Sequence, residues 1–128
     1  MNEVYEYAER VKERGLVFMD TPGNDAVSAT GQLAGGCNLI VFTTGRGSVF
    51  GSNIAPCVKV ATNNALFNHM PDDMDYNAGK VLNATPVETA ADELLACILA
   101  AASGRRTRSE EKGLPEFEFV PWALGPTL

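Results

Sequence analysis

Histidine is almost missing from this chain of 128 residues, with His69 alone, and the three cysteines, Cys37, Cys57 and Cys97, lie far apart with no CxxC pair. That scarcity excludes a zinc finger or ribbon, which needs closely spaced Cys and His ligands, and a disulfide framework, which needs paired cysteines. The cysteines read instead as free, buried thiols of a reducing cytosol. No apolar run approaches the ~20 residues of a membrane span, and the N-terminal MNEVYEYAERVKERG carries charge where a secretory leader carries an apolar stretch. A cytoplasmic location is the expectation. Positive charge is also short: 10 Lys and Arg against 16 Asp and Glu leave a net charge of -6. A field of that sign repels phosphate backbones and anionic lipid, so no nucleic acid and no membrane is expected as a partner. There is no GK[ST] ending to a glycine loop and no GxGxxG opening a helix, which argues against a P-loop or dinucleotide site.

What is present is one core's worth of apolar residues, 45% of the chain, with no repeat, linker or low-complexity segment. Residues 1–128 read as a single domain. Asn2 is placed to cap a helix in which Val4, Ala8 and Val11 recur at i, i+4, i+7 before Gly15 stops it. Leu16–Met19 is an unbroken apolar tetrad closed by Asp20-Thr21-Pro22-Gly23, the pattern of a strand buried on both faces. Residues 25–34 read as a helix. Two further unalternating runs, Asn38–Phe42 and Val58–Ala61, end in TTGRG and TNN. Such strands, separated by helical or glycine-rich segments, predict an α/β fold: a three-layer, Rossmann-like domain with a small, mainly parallel sheet flanked by helices.

Thr85, Pro86 and Glu88 have the spacing of an N-cap, a first-turn proline and a capping-box acid for the longest helix. Its expected packing face is Val87, Ala91, Leu94, Leu95, Ile98 and Ala102, with Gly104 as the stop and Arg105 and Arg106 beside the negative helix end. Residues 114–128, containing FEFVPW, form an apolar tail that must dock on something.

In an open parallel sheet, ligands bind beyond the carboxyl ends of the strands. The three polar segments there offer Asp20, Thr21, Asn24 and Asp25, then Thr43, Thr44, Arg46 and Ser48, then Thr62, Asn63 and Asn64. Turn formation alone accounts for such residues, but TTGRGSVFGS has more to offer. Gly45, Gly47 and Gly51 admit close backbone approach, and Arg46 supplies a planar fork for a carboxylate or phosphate. His69 with Asp72, Asp73 and Asp75 offers divalent-metal ligands on one reading and a solvated turn on the other. Arg105, Arg106 and Arg108, balanced by Glu110 and Glu111, read as a solvated helix exit. No cysteine has a partner that would make it a catalytic thiol.

The succession GLVFMDTPGNDAVSATGQLAGGCNLIVFTTGRGSVFGS, CVKVATNN, MPDDMDYNAGKVL and EFVPW resembles the C-terminal region of the altronate and galactarate dehydratase family of sugar-acid dehydratases, from about Gly15 to near the C-terminus. The resemblance implies a hydro-lyase that removes water from a hexonate or hexarate to leave a 2-keto-3-deoxy acid, with a divalent metal, iron or manganese, in the complete enzyme. It implies that Thr43, Thr44, Gly45, Arg46, Gly47 and Ser48 form a substrate-edge loop with Asp20 and Asn63 as neighbours. In that loop Arg46 either anchors the substrate carboxylate or braces the domain on another region. No catalytic residue and no metal ligand is assigned to this chain, so it is expected to be inactive alone. Its expected partners are the sugar acid, an upstream dehydratase region or companion subunit, and further copies of itself in a homo-oligomer. Two alternatives stay open: a non-catalytic assembly or regulatory module of a split enzyme, and a subunit of a related sulfolactate sulfo-lyase.

Overall fold

A computed structural model describes residues 1–113 and 119–123. They fall in two compact units, Met1–Asn38 with Phe117–Leu128, and Leu39–Glu116.

The first unit contains β1 (Glu3–Tyr5), β2 (Val17–Met19) and α1 (Asp25–Ala34). β1 and β2 form a two-stranded parallel sheet of their own, with Glu3 opposite Val17 and Tyr5 opposite Met19. The expected helix at Val4, Ala8 and Val11 is therefore absent. Asn2 caps nothing helical: its backbone N–H donates to the Leu16 carbonyl at 2.7 Å and its side-chain amide to the Arg14 carbonyl at 2.7 Å. Ala8 then turns the chain at φ 62°, outside any right-handed helix. A three-residue spacing match is too little to nucleate a helix when Val4 and Tyr5 favour a strand and an open strand edge lies beside them. Buried Tyr5 secures the turn, its hydroxyl accepting the N–H groups of Lys12 and Glu13 at 3.1 and 2.9 Å.

α1 spans the residues expected, capped by Asn24, whose Oδ1 accepts the Val27 N–H at 3.3 Å. Gly31 lies against Tyr7: a Cβ there would sit 2.3 Å from the ring, so only glycine allows the approach. Tyr7 donates to the Val27 carbonyl and accepts the Trp122 N–H, and the Trp122 ring meets it edge-on at 5.4 Å between centroids. Val120 N–H donates to Thr30 Oγ1 at 3.0 Å. Phe117 and the other tail residues, 114–118 and 124–128, lie outside the described residues. Cys37 is exposed, which corrects the expectation that all three thiols are buried; Cys57 and Cys97 are buried.

The second unit contains β3 (Ile40–Thr44), β4 (Cys57–Ala61), α2 (Asn64–His69), β5 (Tyr76–Asn77), a 3-10 helix (Ala78–Asn83), α3 (Val87–Ala102) and α4 (Arg108–Lys112). Its three strands are parallel in the order β3-β4-β5. All five residues of β4 are buried, as its unalternating run requires. Val58, Val60, Tyr76, Cys97 and Ala101 make one core cluster, with Leu39, Ala78 and Leu94 packed on it. Ala61, Leu66 and Met74 make a second. Full burial of a valine contributes about 1.5–3 kcal/mol, so Val58 and Val60 anchor β4 firmly. The class is α/β, with small parallel sheets flanked by helices.

α3 corrects two expectations. Pro86, not Thr85, stands at the N-cap position, and no side chain caps the helix. The packing face is Ala90, Leu94, Cys97 and Ala101, whereas Val87 and Leu95 of the expected face are 67% and 54% exposed. Gly104, at φ +97°, does end the run.

Candidate functional site

Because β3 and β4 are parallel and in register, Thr44 opposite Ala61, the segments after them leave from the same sheet edge. Polar side chains then stitch the two together. Thr62 donates its N–H and its hydroxyl to the Thr44 carbonyl at 3.0 and 3.2 Å, and the Asn63 amide donates to the Gly45 carbonyl at 3.1 Å. Asn63 Oδ1 accepts the Leu66 N–H at 2.8 Å and so caps α2. Thr44 Oγ1 accepts the Gly47 N–H at 3.0 Å, and Ser48 Oγ accepts the Phe50 N–H at 3.1 Å. Gly47 is required twice over, by φ +106° and by a Met70 sulfur that a Cβ would meet at 2.5 Å.

The edge extends to β5. Asn77 donates to Asn64 Oδ1 at 2.8 Å, and Asn64 donates to the Gly79 carbonyl at 3.0 Å. At Gly79 a Cβ would fall 2.4 Å from backbone atoms of Asn63 and Asn64, so the 3-10 helix can close on the β4 segment only with glycine there.

Thr43–Ser48 and Asn63 are thus brought together in the second unit, and most of their polar groups shape the loop itself. Arg46 is different. It is exposed between two glycines and, among the described residues, forms no hydrogen bond or ion pair. Thr43 is exposed beside it. Asp20 belongs to the first unit, exposed just after β2, with its N–H donating to the Tyr5 carbonyl at 2.8 Å.

Lys59 was not foreseen. It is fully buried in β4, and its ammonium donates to the Ser48 carbonyl at 3.2 Å, holding the loop from beneath. Burial pushes the Lys59 ammonium below the ordinary lysine range, against the pull of Asp73 above all. The available signal was a lysine inside a run otherwise apolar. Cys57 on the same strand has its thiol pushed up to about 12 by burial, so it stays protonated and unreactive at neutral pH.

Among the described residues no three His, Cys, Asp or Glu side chains gather as metal ligands. The acids after His69 have other duties: Asp73 pairs with Lys112 at 2.9 Å, and the Asp75 carboxylate accepts the N–H groups of Lys59 and Arg108, each at 2.8 Å.

The D-galactarate/altronate dehydratase C-terminal family matches residues 1–127. An altronate dehydratase of Bacillus subtilis is 35% identical over 117 residues, 91% of this chain and 23% of its own length. A galactarate dehydratase (L-threo-forming) of Escherichia coli is 41% identical over 116 residues, 88% of this chain and 22% of its own. The beta subunit of a (2R)-sulfolactate sulfo-lyase from Chromohalobacter salexigens is 34% identical over 115 residues, 89% of this chain and 30% of its own. The chain thus spans less than a third of the length of each of these relatives.

Proposed function

This chain belongs to the D-galactarate/altronate dehydratase C-terminal family, and from that premise we propose that it supplies the carboxylate-binding edge of a sugar-acid dehydratase. The substrate class is a hexonate or hexarate, and the reaction is loss of water to a 2-keto-3-deoxy acid. One observation carries the reading: Arg46, exposed and without a partner among the described residues, stands on a glycine-flanked loop at the carboxyl edge of a parallel sheet. A guanidinium fork there can grip a carboxylate through two charge-assisted hydrogen bonds, with the Thr43 hydroxyl and loop N–H groups beside it. Asn63, Thr62 and Lys59 position that loop.

Removing a proton next to a carboxylate requires a base and stabilisation of the resulting enediolate, and the departing 3-hydroxyl requires an acid. Neither base nor acid is assigned to this chain. An iron or manganese ion belongs, on this reading, to a companion region or subunit, and the working enzyme is an oligomer. The 34% identity to a sulfo-lyase beta subunit supports a second reading, in which the same edge receives a sulfonated acid in an enzyme of separate chains.

The purified chain should show no turnover of altronate or galactarate with ferrous or manganous ion. In a complete enzyme carrying this region, Arg46→Lys should lower kcat/KM by roughly ten- to a hundredfold, the loss expected for a charge-assisted hydrogen bond present in the transition state. The melting temperature should not change. A lowered melting temperature with normal kinetics would instead make Arg46 a structural brace.

A further inference from the structure

The arginines that follow α3 are exposed, as expected of a helix exit, and they share a pocket. Arg105, Arg106 and Arg108 line, with Asp75 and Glu111, a polar pocket of about 220 Å³, several times the ~30 Å³ share of one water molecule. Thr107, between Arg106 and Arg108, and Ser109, just after Arg108, are 3% and 1% exposed. Thr107 closes a capping box with Glu110, Ser109 donates to the Phe50 carbonyl at 3.4 Å, and the Arg108 N–H is fixed on Asp75. Alternate residues are clamped inward, so Arg106 and Arg108 are turned outward together. Arg105 is held by its guanidinium donating to Cys97 Sγ at 3.1 Å.

The acids of the pocket cancel only part of this charge. Both Asp75 oxygens accept backbone N–H groups, and Glu111 pairs with Arg108 at 3.2 Å. Arg106 has no hydrogen bond or ion pair among the described residues. In a chain with only six arginines and a net charge of -6, three are therefore gathered around an open polar cavity whose two carboxylates leave one cation in excess.

We propose that the pocket lined by Arg105, Arg106 and Arg108 is a binding site for a small oxyanion, a phosphate or carboxylate group held by guanidinium forks. It is separate from the Arg46 loop in sequence and in lining residues, and it stands whether or not Arg46 binds sugar acids. The Lys59 N–H donates to the Asp75 carboxylate and the Asp75 N–H to the Lys59 carbonyl, and the Lys59 ammonium holds Ser48, so one wall of the pocket is bonded directly to the loop's support.

The test is a titration of the 15N-labelled 128-residue chain with sodium phosphate, and separately with sodium tartrate, against sodium chloride at matched ionic strength. Saturable shifts at the amides of Asp75 and Arg105–Glu111, absent with chloride, are expected. Saturation by phosphate alone, tartrate alone or both supports the site and assigns its anion. Arg106→Gln should weaken binding at least about tenfold, and Arg106→Lys should restore part of it. Arg106 is exposed and has no partner among the described residues, so the rest of the spectrum should superimpose. Shifts that fail to saturate, equal shifts with chloride, or binding that survives Arg106→Gln and disappears in Arg46→Gln would overturn the proposal.

Discussion

Two arginine-bearing segments of the second unit are built in opposite ways. Arg46 stands between Gly45 and Gly47 on a loop whose shape is set from outside, by Asn63, Thr62 and the buried Lys59. Arg106 and Arg108 stand on a segment fixed from within, by Thr107 and Ser109 buried at alternate positions. The first arrangement leaves the guanidinium free to move with a ligand and depends on the integrity of the sheet edge. The second fixes the backbone that carries its arginines, and holds the Arg105 and Arg108 guanidinium groups on Cys97 and Glu111, before any ligand arrives, which lowers the ordering cost of binding. An arginine's role is thus read from what constrains its neighbours as much as from its own contacts.

Both segments hang on β4, so alkali should disturb both and do so most. Cys57 is held protonated up to about 12, whereas an unfolded thiol ionises near 9.0. The folded chain therefore binds the extra proton in that window, and stability falls as pH rises through it, by a ceiling of about 4 kcal/mol at 1.36 kcal/mol per unit. Lys59 works the other way. Its lowered folded value means that the unfolded chain holds the extra proton, so stability recovers as pH rises toward the ordinary lysine range. Urea unfolding at pH 8, 9.5 and 10.5 should show a fall in wild type, a shallower one in Cys57→Ala and a steeper one in Lys59→Met. Identical slopes in all three would remove these residues from the explanation.

Gly79→Ala should separate the segments. Its Cβ would meet backbone, which cannot swing aside, and the cost should reach the upper end of overpacking, about 3 kcal/mol by denaturant midpoint. Amide shifts should concentrate on Gly45–Ser48 and Asn63–Asn64. Thr107→Ala is the converse: it removes the capping box at a cost of about 1 kcal/mol and should leave Thr43–Ser48 unmoved. Smallest of all, Arg46→Gln should change stability by less than about 0.5 kcal/mol, as expected for an exposed side chain without partners among the described residues. A larger loss would mean that Arg46 braces the fold.

Much of this was legible in the sequence. The unalternating runs marked β3 and β4, and TTGRG marked the loop at their edge. β1 was hidden because three residues carry no strand periodicity and their partner, Val17–Met19, lies 14 positions away. β5 has two residues, Tyr76 and Asn77, embedded in acidic turn sequence. The α3 face was misjudged for a physical reason: hydropathy ranks Val87 and Leu95 above Ala90, Cys97 and Ala101, but the small residues are those that let the helix lie against the strand core. The arginine pocket was not legible because Thr107 and Ser109, small polar residues in a charged stretch, are buried through the capping box and the Phe50 carbonyl, contacts that spacing does not announce.

The central claim is that the Arg46 loop receives a sugar-acid carboxylate, and its most direct test is titration of the 15N-labelled chain with galactarate. Saturable shifts at the amides of Thr43–Ser48 and Asn63, weakened about tenfold by Arg46→Lys through loss of the bidentate fork, are the predicted result. A loop that stays unmoved to saturating galactarate, or shifts confined to Arg105–Glu111, would contradict it.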